Sequence, residues 1–261
     1  MRRTWAVIGA AAVLTATGCG GKVGPTTAGS AGGASSHHAS AAVVLPAAAR
    51  STPLAATTGA TRFVEHLRGV HDARQVVSVI ASGYGTTVAT VRAFAKTSTG
   101  WRQLFGPWPA RIGWNGFAPR GAKREGDGRT PTGSFHVPFM FGVAPDPGVR
   151  FRYRPALSTS RWDDDASSRN YNRWVDIRRA DPGRDPEHMR VLPSYRYGAV
   201  IGYNLARTPS LGSAIFFHVT DGTSTAGCVA VGRARVVKVL RWLRPTRHPR
   251  FIMGTRSAVT R

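Results

Sequence analysis

From about residue 62 onward, short runs of large apolar side chains alternate with clusters of Gly, Pro, Ser and Asp, and the period within each run predicts an element. Residues 75–81, 87–96 and 101–105 are rich in Val, Thr and aromatics and are bounded by Gly, Ser and Pro, which predicts three strands. Gly126-Asp127-Gly128 and Pro131-Thr132-Gly133 are turn chemistry ahead of a strand predicted over 134–137. The apolar runs 199–203 and 214–219 predict buried strands. Phe63, Leu67 and Val70 share one side of a short helix predicted over 62–70. Val236, Val239, Leu240 and Leu243 recur at helical spacing over 233–243, the clearest amphipathic helix in the chain. Strands with one late helix predict a mainly-β domain over 61–261, long enough to bury a substantial core.

The pattern before residue 61 is different. Met1-Arg2-Arg3 is a basic start, residues 5–14 are apolar, and small residues 15–18 lead into Cys19. Charge, a short apolar run and a small-residue zone form the layout of a secretory signal over 1–19. The apolar run is about half the roughly 20 residues that span a bilayer, so export is expected rather than a retained membrane helix. Ala16-Thr17-Gly18-Cys19 also resembles a bacterial lipobox, which makes Cys19 a candidate lipid anchor. Residues 20–60 are Gly, Ala, Ser, Thr and Pro with few large apolar side chains, the composition of a flexible tether.

Charge narrows the surroundings. The chain has 36 Lys+Arg against 13 Asp+Glu, a formal net charge of +23. Such a balance implies polyanionic partners. The cations are scattered and no nucleic-acid recognition motif accompanies them, so an anionic cell envelope is expected and nucleic acid is not. His66, His71, His136, His188 and His248 lack metal-ligand spacing, and Asp163-Asp164-Asp165 reads as a solvated loop; no metal or other cofactor is expected.

Candidate chemistry sits late in the chain. The sequence has two cysteines, and Cys19 belongs to the signal, so Cys228 has no obvious disulfide partner in an exported chain. His218 closes an apolar strand, on the face of Ala214 and Phe216, ten residues before Cys228. The intervening 220–224 is loop-like and lets the chain turn back to bring the two together. A thiolate is a nucleophile, and an imidazole beside it can stabilise or generate it. Gly227, lacking a Cβ, permits close backbone approach, and N–H groups around Ala226-Gly227-Cys228 are candidate oxyanion donors. Asp221 is the nearest carboxylate in sequence, but no residue stands out to orient His218. Spacing alone leaves open a buried inert thiol and an unrelated core histidine.

His218 followed by Thr225-Ala226-Gly227-Cys228 resembles the signature of the L,D-transpeptidase (YkuD-type) catalytic domain family. Residues 111–117, 123–135, 171–174, 197–204 and 212–218 are similar to one subgroup of it, so the resemblance covers about 100–255. Ala226 stands where many members have His, and Ala230 where many have Arg. The resemblance implies a mainly-β, sandwich-like YkuD-type fold with a few short helices. It implies a cofactor-free acyl transfer on peptidoglycan stem peptides through a Cys228 thioester with His218 as base. Thr225, Ala226, Gly227 and Asn204 would line the oxyanion and substrate site. An L,D-carboxypeptidase using the same pair and a basic non-catalytic wall-binding module are the alternatives.

Overall fold

The computed structural model describes Gly59 and residues 62–261; the expected signal over 1–19 and, Gly59 apart, the tether over 20–60 lie outside the described residues. The described chain is mainly β, with a large ten-stranded sheet and a few short helices. In chain order the strands are β1 (Gln75–Ala81), β2 (Val88–Thr97), β3 (Gly100–Arg111), β4 (Phe117–Ala118), β5 (Thr130–Pro131), β6 (Gly133–His136), β7 (Met140–Gly142) and β8 (Tyr153–Pro155). They continue as β9 (Ser160–Asp163), β10 (Arg173–Asp176), β11 (Glu187–His188), β12 (Gly198–Val200), β13 (Phe216–Val219), β14 (Val229–Val231) and β15 (Arg250–Thr255). The main sheet has the order β6-β15-β1-β2-β3-β14-β13-β12-β7-β8, and β10-β9-β11 form a separate three-stranded sheet.

β1 is buried along nearly its whole length because it lies inside the sheet, parallel to β15 on one side and antiparallel to β2 on the other. Its Val77 and Val79 enter the principal core with Val91, Phe217, Val219, Val229 and Phe251. Helix α1 (Arg233–Trp242) packs Val236, Val239 and Leu240 into the same core, followed by Leu243. Burying each such aliphatic side chain contributes roughly 1.5–3 kcal/mol against leaving it exposed. The helix stops at Leu243, already extended at φ −64 and ψ 138, and Pro245 keeps Arg244 extended as well, at φ −133 and ψ 131. A second cluster on the opposite face of β1 joins Val64, Leu67, Val76, Phe94, Trp101 and Ile252. The third cluster, built on β7, β12 and β13, contains Phe141, Trp162, Tyr195, Phe216 and Cys228.

Several predicted bounds move. The helix expected over 62–70 covers 62–65, because Leu67 is drawn into a bridge with Thr260 and Gly69 turns at φ +75 against Ser134. The strand expected over 101–105 runs on to Arg111 as β3, paired with β2 through a register shift between Val91 and Phe94. The strand expected from 214 starts at Phe216, because Ala214 has φ +53 and cannot begin a ladder.

Candidate active site

β13 and β14 run parallel, with Phe217 beside Val229, His218 beside Ala230 and Val219 beside Val231. This register places Cys228, one residue before β14, level with Phe216. Alternation then puts Phe216, His218 and Cys228 on one face of the sheet. His218 lies two residues further along, about 7 Å at the usual strand rise. The return loop 220–228 is fixed at several points. Thr225 N–H donates to Ile112 O at 2.9 Å, and Trp114 N–H donates to Thr225 O at 2.8 Å. The hydroxyls of Thr225 and Thr130 both donate to Cys228 O, at 2.8 and 3.4 Å. Gly227 sits at φ +153, and a Cβ there would come within 2.9 Å of Arg129 O. Only glycine fits that conformation and that contact without strain.

Cys228 is buried, 6% exposed, and its thiol is a free one. Its Sγ donates to Ala214 O and accepts from Phe216 N–H, each at 3.3 Å. Burial, reinforced by Glu187, pushes the thiol well above its ordinary range, while Phe216 N–H and Lys123 pull the other way. His218 is 7% exposed, and burial pushes its imidazole down to about 4. Its Nδ1 lies 2.8 Å from Val219 O. A carbonyl only accepts, so Nδ1 carries the proton toward Val219, and the backbone of Ser194 is a second hydrogen-bond partner of the ring. At neutral pH both groups are therefore uncharged. A standing thiolate–imidazolium pair is disfavoured.

The group that orients His218 is the carbonyl of the next residue, invisible to a search for side-chain partners. Asp221 is engaged elsewhere: its Oδ1 accepts from Thr223 N–H and Oγ1 at 2.9 and 2.7 Å. The Gly227 N–H, one of the expected oxyanion donors, is bonded to Thr225 Oγ1 at 3.1 Å. Asn204 is spent on its own loop. Its amide donates to Thr208 O and Gly212 O at 2.9 Å each, and its Oδ1 accepts from Thr208 N–H at 3.0 Å.

The residue that reaches the site from that region is Asn172, 6% exposed and satisfied on every side. It accepts from Trp162 Nε1 and Ala214 N–H at 3.0 and 3.3 Å, and donates to the carbonyls of Tyr203 and Asn204 at 3.1 and 2.8 Å. Asn172 thereby pins Ala214, whose carbonyl holds the thiol and whose left-handed backbone costs about 1–2 kcal/mol.

Cys228 and His218 line one cleft of about 390 Å³, together with Thr225 and Ala226. Across it lie Glu125, Asp164, Glu187, Tyr195, Lys123 and, at an exposed edge, Trp114. Tyr195 packs edge-on against the His218 ring, centroids 5.3 Å apart, and its hydroxyl donates to Glu187. Burial, aided by the charges of Asp164 and Glu125, pushes Glu187 up to about 7; burial also raises Asp164 to about 6. None of these wall residues carries a local sequence signal, because each comes from a polar loop or a strand edge remote from the Cys–His segment. Among the described residues, no group of three or more His, Cys, Asp or Glu side chains could hold a metal ion. No described helix is long and apolar enough to cross a membrane.

Residues 86–256 match the family model of the L,D-transpeptidase catalytic domain, YkuD type. That match spans well over half of the chain, and the chain belongs to this family. Among solved structures it is similar to the helical cell shape determining protein Pgp2 from Campylobacter jejuni, at 15% identity and a TM-score of 0.38. The likeness covers 73% of this chain and 51% of that one, so the chain spans about half the length of that protein. No curated protein matches it.

Proposed function

We propose that this chain is an exported L,D-transpeptidase that acylates Cys228 with a peptidoglycan stem peptide and passes the acyl group to an amine. The observation that carries the reading is the shared face of β13 and β14. It presents a free thiol and an imidazole to one cleft, in a domain of the L,D-transpeptidase family. Attack on the carbonyl after the diamino acid would move the Cys228 proton to His218 Nε2 and form the C–S bond. The thiol must first leave Ala214 O, since its resting hydrogen bonds go to Ala214 and Phe216. With the Gly227 N–H held by Thr225, the developing oxyanion falls to the N–H of Cys228 itself. His218 then protonates the departing D-Ala amine, leaving the thioester. Attack by a second stem's amine on that thioester forms the cross-link and restores the thiol.

The scattered Arg and Lys suit an anionic envelope around the enzyme, and Cys19 remains its candidate lipid anchor. The test is the intact mass of the protein after exposure to a stem tetrapeptide ending in D-Ala. A covalent acyl adduct at Cys228, formed with loss of D-Ala, is expected. A folded chain that releases no D-Ala and gains no adduct would overturn the reading.

A further inference from the structure

Two elements hold His218. Its own strand supplies the Val219 carbonyl, and the turn Ser194–Arg196, which leads into β12, supplies the rest. That turn brings the backbone of Ser194 as a hydrogen-bond partner and the Tyr195 ring as an edge-on neighbour. Its backbone is tied down on both sides: Tyr195 N–H donates to Val191 O at 2.8 Å, and Val143 N–H donates to Tyr195 O at 2.9 Å. The Tyr195 ring also packs edge-on against Phe141 and Phe216, at 5.5 and 5.6 Å. A phenylalanine would supply all of that packing, so the hydroxyl needs a separate account. Tyr195 is 5% exposed, and its hydroxyl donates to Glu187. Glu187 belongs to the small sheet, on β11 opposite Trp162 of β9, and Trp162 packs against the same Phe216. Among the described residues the Glu187 side chain makes this one hydrogen bond and no ion pair. A buried polar pair of this kind adds little stability over an apolar pair of the same shape. Its effect is on geometry: it sets how deep, and at what rotation, the Tyr195 ring stands against the imidazole.

We infer that Glu187 and Tyr195 are positioning residues for His218: the Glu187 carboxyl holds the phenol, and the phenol ring, with the Ser194 backbone, holds the imidazole at the angle that acyl transfer needs. The inference rests on the acyl-transfer reading above. Neither residue hydrogen-bonds the thiol, whose Sγ meets Ala214 O and Phe216 N–H. The Val219 bond fixes one ring nitrogen and leaves the ring free to tilt about it; an edge-on neighbour removes that freedom. With His218 and Cys228 two residues apart in level, a small tilt changes the distance the proton must cross, and a misplacement of about 1 Å can cost on the order of 10²-fold in rate. The main sheet therefore carries nucleophile and base, while the edge of the small sheet carries the anchor that keeps the base in place.

The experiment measures single-turnover acylation of the full chain by a stem tetrapeptide ending in D-Ala, read as intact mass across donor concentrations. Tyr195→Phe keeps the ring and loses the hydroxyl. It should lower the maximal acylation rate by about tenfold and leave the half-saturating donor concentration nearly unchanged. Glu187→Leu should lose as much, whereas Glu187→Gln should keep most of the rate, because its amide oxygen accepts the same phenol hydrogen bond. Both Glu187 variants remove the same charge, so iodoacetamide labelling of Cys228 should be alike in the two while acylation separates them. Tyr195→Phe combined with Glu187→Leu should be no slower than either alone, since one contact is lost in all three. A merely structural role would lower the melting temperature without separating the two Glu187 variants, or would slow labelling and acylation together, and either result would overturn the inference. Full-rate acylation by folded Tyr195→Phe, or losses that multiply in the combined variant, would overturn it as well. Should Glu187→Leu not fold, Tyr195→Phe against Glu187→Gln decides. Failure of the wild-type chain to acylate at all would instead overturn the reading beneath it.

Discussion

Phe217 and Val219 leave one side of β13 for the principal core, where Val229, Val231 and Phe251 surround them. Phe216 and His218 leave the other side, into a cluster where Phe141, Trp162 and Tyr195 pack at 5.0–5.6 Å centroid distances against Phe216 and Cys228 is buried beside them. Both sides exclude water. On the first side burial acts only through transfer free energy and packing density. On the second it also acts on titration, favouring a neutral imidazole and a protonated thiol. One strand thus carries packing alone on one face and packing with titratable groups on the other, by alternation.

The largest effect is expected at the thiol. Cys228→Ser should reduce acyl transfer by roughly 10³-fold or more, as loss of a catalytic nucleophile does, with thermal stability nearly unchanged because the hydroxyl fits the same space. A folded Ser variant that still cross-links at a near-normal rate would remove Cys228 from the mechanism. Next comes His218→Ala, where loss of a general base should lower acylation about 10²–10⁴-fold. Iodoacetamide labelling of Cys228 should shift much less, because burial and Glu187 set the thiol's titration. Equal losses in labelling and acylation would restore a resting thiolate–imidazolium pair.

The comparison of faces is sharpened by two phenylalanines. Phe217→Ala and Phe216→Ala should each cost about 3–5 kcal/mol in denaturant unfolding, the usual figure for a buried aromatic. Only Phe216→Ala should also change the labelling rate of Cys228, since it removes the packing beside the sulfur and loosens the N–H that bonds Sγ. If Phe217→Ala altered labelling equally, the two faces would be coupled and the separation would fail.

The same contrast decides what could be read from the chain beforehand. β1, β2, α1 and the apolar face of β13 follow directly from hydrophobic period, because burial is their whole determinant. His218 and Cys228 stood out as candidates, a polar exception in an apolar strand and a thiol just before the next, joined by a short loop. The three-stranded sheet was not, since the runs around Trp162 and Trp174 are short and interrupted by charge. Neither was the orienting role of the Val219 carbonyl, since every residue has one. Asn204 and Asn172 stand near similar turns in sequence, and only the fold shows that Asn172 is the one holding Ala214 against the thiol. The acidic wall was hidden for a related reason: its members come from four separate segments, and the net charge of +23 points the other way.

The smallest expected effect is the pH dependence of stability, and it tests whether the acidic wall is as buried as the fold makes it. Burial raises Glu187 to about 7 and Asp164 to about 6, and also raises Asp163. The folded chain therefore holds these protons to higher pH than the unfolded chain does. Their contribution to stability is complete below the unfolded carboxylate values and is lost as pH rises toward 7. His218, lowered to about 4, acts with the opposite sign: the unfolded chain takes up its proton first, so stability falls as pH drops from about 6.5. Asp165, Asp176 and Asp221, all held below their ordinary value, act only in stronger acid. Between pH 5 and 8 Glu187, raised furthest, and Asp164 outweigh His218 and the likewise lowered His136, so the melting temperature should decline slightly as pH rises. Glu187→Gln removes the largest of these raised groups and should flatten or reverse that decline, leaving Asp164 against His218 and His136. Thermal melts of both proteins at pH 5 and pH 8 make the comparison. Parallel slopes would mean that Glu187 titrates as a solvated carboxylate, and that water reaches this wall as freely as it reaches the rest of the surface.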